Sequence, residues 1–251
     1  MGAYDDPNIY EVAFCFVDIC KQVDLLLEFV KRYSGVGLSR VLDVGCGPSP
    51  QLRELAKRGY DAIGLDINPM MLAHLRKRAL EECVIVETFE GDMVDFRVGD
   101  KVDLVINLMG TISLVGSKEN MWKHLASIAS ALRQGGLYIV ENYRLGWTYE
   151  EAIHPQHWEM ERGGVRVKTT YEPRLRDAES RTLVERITME VEEKGERRVI
   201  TDESETVIIP GEELTSLLEG NRLKVIGWFD HETGEPLVGS NNFNYLVIRR
   251  K

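Results

Sequence analysis

The segment Val41 to Ser49, VLDVGCGPS, ends a short apolar run on Asp43 and Val44, turns through Gly45-Cys46-Gly47, and then offers a helix start. Glycine tolerates positive φ and lets the backbone approach a ligand closely. A helix N-terminus beyond it presents free N–H groups. Asp66 ends the next apolar run about 20 residues further on, a spacing at which a carboxylate can reach both hydroxyls of a ribose. Asn68 already stands in front of the following helix, so Asp66 is not needed as its cap. The chemistry suggested is the holding of a nucleoside-bearing ligand, with a plain strand-to-helix turn as the alternative. A dinucleotide site would want Gly-x-Gly-x-x-Gly, and the sixth position here is Pro50, which lacks an N–H donor and cannot provide the close packing of a glycine. NAD is therefore disfavoured.

The elements that must position these residues alternate between strand and helix. Arg40–Val44, Asp61–Asp66, Val84–Thr88, Val102–Asn107 and Leu137–Glu141 read as five short strands. Ser49-Pro50 and Asn68-Pro69 are cap-plus-proline helix starts. Leu52, Leu55 and Ala56 form one buried face, and Met71, Leu72, Leu75 and Ala79 another. Lys118–Arg133 is a further helix closed by Gly135-Gly136. Strands apolar on both faces and separated by amphipathic helices imply a parallel sheet covered on both sides. Beyond residue 150 the period changes to two: Val165, Val167, Thr169 and Tyr171 alternate with Arg166, Lys168 and Thr170. Thr182–Glu192 and Arg197–Ile209 read as strands joined by a hairpin turn at 193–196. Pro210–Glu219 returns to helix. Leu223–Phe229 and Phe243–Arg249 are then two strands with no helix between them, expected to be antiparallel.

Hydrophobic residues make up 43% of the 251, and no run of about 18 apolar residues predicts a membrane span. The first residues, MGAYDDPNIYEVAF, lack a basic segment followed by an apolar stretch, so no signal peptide is expected. Cys15, Cys20, Cys46 and Cys83 form no CxxC pair. They read as reduced cysteines of a cytoplasmic protein, and no metal site is expected. A formal charge of -10 argues against a general nucleic-acid binder.

LDVGCG, the acidic LDIN strand end, Gly91-Asp92-Met93 and the strand VDLVINLMGTIS together resemble the class I S-adenosylmethionine-dependent methyltransferases, in particular small-molecule members with an antiparallel insert after strand five. The resemblance covers almost the whole chain and is specific for the cofactor rather than the acceptor. It implies a Rossmann-like α/β fold whose seven-stranded, mostly parallel sheet has an antiparallel last strand. Residues 1–149 and 210–251 would form the cofactor-binding domain, and residues 150–209 an inserted antiparallel β subdomain acting as an acceptor lid. Carried over residue by residue, Gly45, Cys46 and Gly47 would pass under the methionine moiety, with Asp43 near its ammonium. Asp66 would hold the ribose. Ile67 and Met71 would pack on adenine, and Asp92, between Gly91 and Met93, would accept from its amino group. Asn107 and Leu108 would line the methyl-donor side. The N-terminal segment would fold over the cofactor through Tyr10, with Tyr4 and Phe14 nearby, ahead of a helix burying Val23, Leu26, Leu27 and Val30.

The function so implied is methyl transfer to a small-molecule acceptor. An acceptor that is an alcohol or a protonated amine also needs a general base. His154 and His157, in HPQHW, are the candidates for a catalytic role, with solvent-exposed loop histidines as the alternative. Tyr143, Trp147, Tyr149 and Trp158 could wall an apolar acceptor pocket or simply join lid to sheet, and Glu150 and Glu151 read as a solvated helix start. Arg166, Lys168, Arg174, Arg176 and Arg181 could meet an anionic substrate or form the wet face of a sheet. Two other readings stand beside the first. One is a protein or nucleic-acid acceptor; the acidity counts against nucleic acid, as does NLMG at the end of strand four, where resembling enzymes that act on base amino groups carry Asn/Asp-Pro-Pro-Tyr/Phe. The other is a non-catalytic S-adenosylmethionine-binding regulator.

Overall fold

The structure is a computed structural model that describes residues 2–144, 153–239 and 243–251. Its main layer is a seven-stranded sheet built from β1 (Arg40–Val44), β2 (Asp61–Asp66), β3 (Val86–Glu90), β4 (Val102–Asn107), β5 (Leu132–Glu141), β10 (Leu223–Asp230) and β11 (Asn244–Arg250). The order is β10-β11-β5-β4-β1-β2-β3. Strands β1 to β5 pair in parallel, and β11 is antiparallel to both β5 and β10, as the sequence predicts.

Alternate residues along each strand feed opposite layers. On one side Leu42, Val44, Ile63, Leu65 and Val105 pack with Met121 and Leu125 of α5 (Lys118–Ala131) and with Leu214 and Leu218 of α6 (Gly211–Gly220). On the other, Val41, Ala62, Leu104 and Ile106 meet α2 (Ile19–Tyr33), α3 (Pro50–Lys57) and α4 (Pro69–Glu81) through Leu26, Phe29, Leu52, Leu55, Leu72 and Leu75. Every residue of β4 is buried. Chain order reverses between β1 and β4, which opens a crevice at the carboxyl ends of the strands.

A second, four-stranded antiparallel sheet runs β6 (Gln156–Arg162), β7 (Val165–Asp177), β8 (Thr182–Glu193) and β9 (Glu196–Val207). Strands β8 and β9 are joined through Lys194 and Gly195, both at positive φ (52° and 83°), the hairpin geometry that matches strand twist. One face of this sheet buries Val167, Met189, Val191 and Ile200 against Ala3, Ile9, Val12 and Ala13, most of them from α1 (Pro7–Ala13). The other face carries cross-strand ion pairs: Arg166 with Glu159 and Glu161, Lys168 with Glu159, Arg174 and Arg186 with Glu203, and Arg176 with Glu205. Arg181 reaches Glu213 of α6. These cations form a solvated, internally neutralised face.

Strand β3 lies two residues later than the expected Val84–Thr88, and other details also differ from the sequence reading. Strand β6 holds the HPQHW histidine His157 and Trp158, in a segment for which the sequence predicts no strand. Most of β6 is exposed, so it carries little period-two signal. Helix α5 stops at Ala131 rather than Arg133, because Leu132 turns extended and pairs with Val102. The intervening bulge is held from outside: Gly35 donates to the Gly135 carbonyl at 2.8 Å, a contact invisible in local sequence. Tyr10 lies within its own short helix, α1, whose Asp6 cap accepts from the Ile9 amide.

Candidate active site

The glycine turn after β1 adopts the conformations its residue types permit. Gly45 has φ of +69°, and a Cβ there would stand 2.6 Å from the Thr111 methyl. Gly47, at φ +53°, faces open space. Ser49 accepts from the Leu52 amide to start α3 and donates its hydroxyl hydrogen to Asp43 Oδ2 at 2.7 Å. Asp66 ties the turn to β2, accepting from Gly47 N at 2.6 Å and from Asn68 N at 2.8 Å. Its two carboxylate oxygens have further acceptor sites, and the side chain remains partly open to the crevice.

A cleft of about 1520 Å³ lies over the strand ends. It is lined by Tyr10, Asp43, Gly45, Cys46, Gly47, Asp66, Ile67, Met71, Gly91, Asp92, Met93 and Leu108, so the structure gathers these sequence-chosen residues around one space. Asn107 is fully buried beneath the wall instead. Its Nδ2 donates to the Val44 carbonyl at 2.6 Å, and its Oδ1 has no partner among the described residues. Ile67 is strongly exposed at the cleft edge, while Met71 is buried. Asp92 accepts from the Val94 amide at 2.8 Å, and His124 bridges the Met93 carbonyl to the Tyr138 hydroxyl at 2.8 Å each.

Asp43 and Asp66 share an electrostatic problem. Burial pushes the Asp43 carboxyl up to about 7, and the charges of Asp66 and Glu141 add to the shift against the hydrogen bond from Ser49. Burial raises Asp66 as well, opposed by its backbone N–H donors. No lysine, arginine or histidine pairs with either among the described residues. Two carboxylates facing one cleft without a counter-charge suit a ligand carrying a cation and hydroxyl donors. The cofactor implied by the sequence, with its ammonium and ribose, fits that donor set.

The other wall comes from the N-terminal segment and the four-stranded sheet. Rings run from Tyr4 to Tyr10 (5.7 Å), to Phe14 (4.6 Å) and to Trp158 (5.6 Å). Trp158 donates to the Ala13 carbonyl at 2.7 Å. Glu11 is a buried hub: Arg53 binds its Oε1, and His74, Arg162 and Arg78 lie 3.2, 3.3 and 3.6 Å from its Oε2. These contacts join α1 to α3, α4 and β6. Deeper in, Arg144 binds Glu185 and the Tyr171 hydroxyl on the inner face of the sheet.

Of the two histidines chosen from sequence, His154 is exposed and outside the cleft lining, whereas His157 lies on β6, lines the cleft and contacts Thr170 Oγ1 at 3.1 Å. Tyr143 is buried and donates to the Ile209 carbonyl at 2.7 Å, a packing role. Trp147, Tyr149, Glu150 and Glu151 lie outside the described residues. Sequence reasoning passed over Glu141 and His231, which line the cleft together. A signal was present: Glu141 is an acid closing an otherwise apolar strand, at the end where α/β sheets bind ligands.

Residues 41–136 match the family model described as "Methyltransferase domain". The dTDP-3-amino-3,4,6-trideoxy-alpha-D-glucopyranose N,N-dimethyltransferase of Streptomyces venezuelae is 32% identical over 113 residues, covering 45% of this chain and 46% of that protein. The chain thus matches about half the length of such curated relatives. Among solved structures, an S-adenosylmethionine-dependent methyltransferase from Clostridium acetobutylicum superposes with a TM-score of 0.81 at 14% identity, covering 96% of this chain and 95% of that one. An amino pentose methyltransferase from Micromonospora echinaspora, involved in calicheamicin biosynthesis and solved with S-adenosylmethionine bound, gives 0.76 at 20% identity and 97% of each chain. The fold is the Rossmann-like fold of the class I S-adenosylmethionine-dependent methyltransferases.

Proposed function

We propose that this protein binds S-adenosylmethionine over the ends of β1 to β4 and transfers its methyl group to a small-molecule acceptor. The observation that carries the reading is the pair of cation-free carboxylates, Asp43 and Asp66, set around the Gly45–Gly47 turn in an open cleft. Asp43 would meet the ammonium and Asp66 the ribose hydroxyls. Ile67 and Met71 would flank adenine, with Asp92 at its amino group between Gly91 and Met93. Leu108 would line the donor side, and Tyr10 would cover the cofactor from α1.

The cofactor supplies an electrophilic methyl on a sulfonium, which leaves as a neutral thioether and needs no protonation. The chain's own work is then to bind, to align and to keep water out. The cleft, at about 1520 Å³, exceeds the roughly 300–1,000 Å³ that one ligand of drug size fills, so it has room for cofactor and acceptor together. Residues 150–209 act in this reading as an inserted lid over the acceptor, on a cofactor domain of residues 1–149 and 210–251. The aminosugar relatives favour a small polar acceptor, and the charge of -10 disfavours nucleic acid. No helix among the described residues is long and apolar enough to cross a membrane.

Titration calorimetry with S-adenosylmethionine should give one site per chain, lost in Asp66→Ala; no heat with the unaltered protein refutes the reading. Incubation with methyl-labelled cofactor and a metabolite panel including dTDP-3-amino-3,4,6-trideoxy-α-D-glucopyranose should transfer label. Binding without transfer to any acceptor would point instead to a regulatory cofactor binder.

A further inference from the structure

Glu141 closes β5 and is almost wholly buried, yet it lines the cleft. Its Oε1 collects Gln22 Nε2 at 2.6 Å, His231 Nε2 at 2.7 Å and the Tyr245 hydroxyl at 3.1 Å. Its Oε2 accepts from the Met109 amide at 2.8 Å, just past the end of β4. Gln51 on α3 donates to Gln22 Oε1 at 2.6 Å, so this carboxylate is held directly from α2, β11 and the ends of β4 and β10, and through Gln22 from α3. His231, one residue past β10, lies flat on the Tyr245 ring, with centroids 5.3 Å apart and planes 13° apart, and meets the edge of Phe243. Its side chain is 31% exposed, on the cleft side.

A carboxylate has no proton to give, so the ring nitrogen facing Glu141 must carry one. A neutral His231 is then the Nε2–H tautomer, with its lone pair on Nδ1. That nitrogen has no hydrogen-bond partner among the described residues. A half-open imidazole, oriented by a buried carboxylate and stacked in place, has the arrangement by which a general base is held. Neither His154 nor His157 has a carboxylate partner of this kind among the described residues.

We propose that His231 is the general base of this site, its Nδ1 taking the proton that an acceptor hydroxyl or ammonium must shed, with Glu141 as the positioning residue that sets its tautomer. The inference rests on the methyl-transfer reading above. An acceptor ammonium first yields its proton to Nδ1, which frees the nitrogen lone pair, whereas a hydroxyl yields it as it attacks; the oxygen or nitrogen pair then bonds to the methyl carbon while the carbon–sulfur bond breaks onto sulfur, leaving imidazolium beside the Glu141 carboxylate. The groups facing the ring are Glu141 from β5, Tyr245 from β11, and the adjoining Asp230 and Glu232, with Gln22 of α2 sharing the carboxylate. The hydrogen bond to Glu141 raises the imidazole above its ordinary value of 6.5 despite burial.

Nitrogen-15 imidazole spectra, with His231 assigned by its loss in His231→Asn, test this without an acceptor. At high pH His231 should be the Nε2–H tautomer, and its midpoint should lie above 6.5 and fall in Glu141→Gln, which removes the charged partner that raises it. An Nδ1–H tautomer, or a midpoint indifferent to Glu141, overturns the proposal; should Glu141→Gln not fold, the tautomer of the unaltered protein decides. On the aminosugar probe, His231→Asn should lose about 10²- to 10⁴-fold in kcat, keep its calorimetric affinity for S-adenosylmethionine, and lose the acid limb of the rate profile. Turnover equal to the unaltered protein's also overturns it, and without turnover on the probe the tautomer decides alone. Absence of cofactor binding in the unaltered protein would instead refute the methyl-transfer reading.

Discussion

Replacing Glu11 by glutamine keeps the side chain's shape and removes the charge on which α1 is docked. Glu11 and Arg53 are 6% and 5% exposed, so little solvent screens the pair. Removing one partner of a buried pair costs roughly 3–5 kcal/mol. Arg53 keeps Glu82, and Arg162 and Arg78 are half-exposed, so the loss should fall near the lower end, about 3 kcal/mol. For a chain of this size that is a fall in Tm of roughly 6–12 °C. Because α1 also carries Tyr10, affinity for S-adenosylhomocysteine should drop in parallel. His74 and Arg53 hold the Glu11 carboxyl below its ordinary value against burial. A depressed acid stabilises the fold above its unfolded value of about 4.5, and that contribution is lost as pH falls through the lower folded value. The gap between unaltered protein and Glu11→Gln should therefore be full near pH 7 and close in acid. Scanning calorimetry from pH 3 to 8 reads this directly. A Tm within 2 °C of the unaltered protein at pH 7, or a gap that widens in acid, would refute the hub.

The Asp43 carboxyl, held up to about 7, predicts the opposite sign. It keeps a proton that the unfolded chain releases near 3.8, so ligand-free stability falls between about pH 4 and 7, and Asp43→Asn should raise Tm at pH 8 while weakening S-adenosylmethionine binding. Unchanged Tm at pH 8 would contradict the shift. Gly45→Ala forces a left-handed alanine costing about 1–2 kcal/mol and a clash with Thr111; calorimetry should show lost binding and a lower Tm. His124→Phe strips the Tyr138 hydroxyl of a buried partner and frees the Met93 carbonyl, for about 1–3 kcal/mol. Chemical denaturation should register that loss, and intact stability would show that water replaces the ring.

The strand-helix alternation, the Ser49 and Asn68 caps, the glycine turn and Asp66 are all legible locally. Each rests on hydrophobic period, capping chemistry or backbone freedom within a dozen residues. The antiparallel terminal strands follow from the absence of a crossover helix. Strand β6 was not legible, because an exposed edge strand has almost no buried face to print a pattern. The stop of α5 at Ala131 goes with the pairing of Leu132 to Val102, about 30 residues away in sequence. The cleft's second wall is likewise long-range: Trp158 reaches Ala13, and Glu11 reaches Arg162. The histidines show the difference most plainly. His154 and His157 stand out in the sequence by their place just after the fifth strand, yet of the histidines lining the cleft it is His231 that meets a buried carboxylate, 90 residues away in sequence. Sequence by itself determined the layer architecture and the glycine turn that lines the cleft, because backbone chemistry writes those into adjacent residues. Only the tertiary structure decided which side chains share the cleft, because hydrogen bonds between strand ends depend on sheet order and register, which no local window contains.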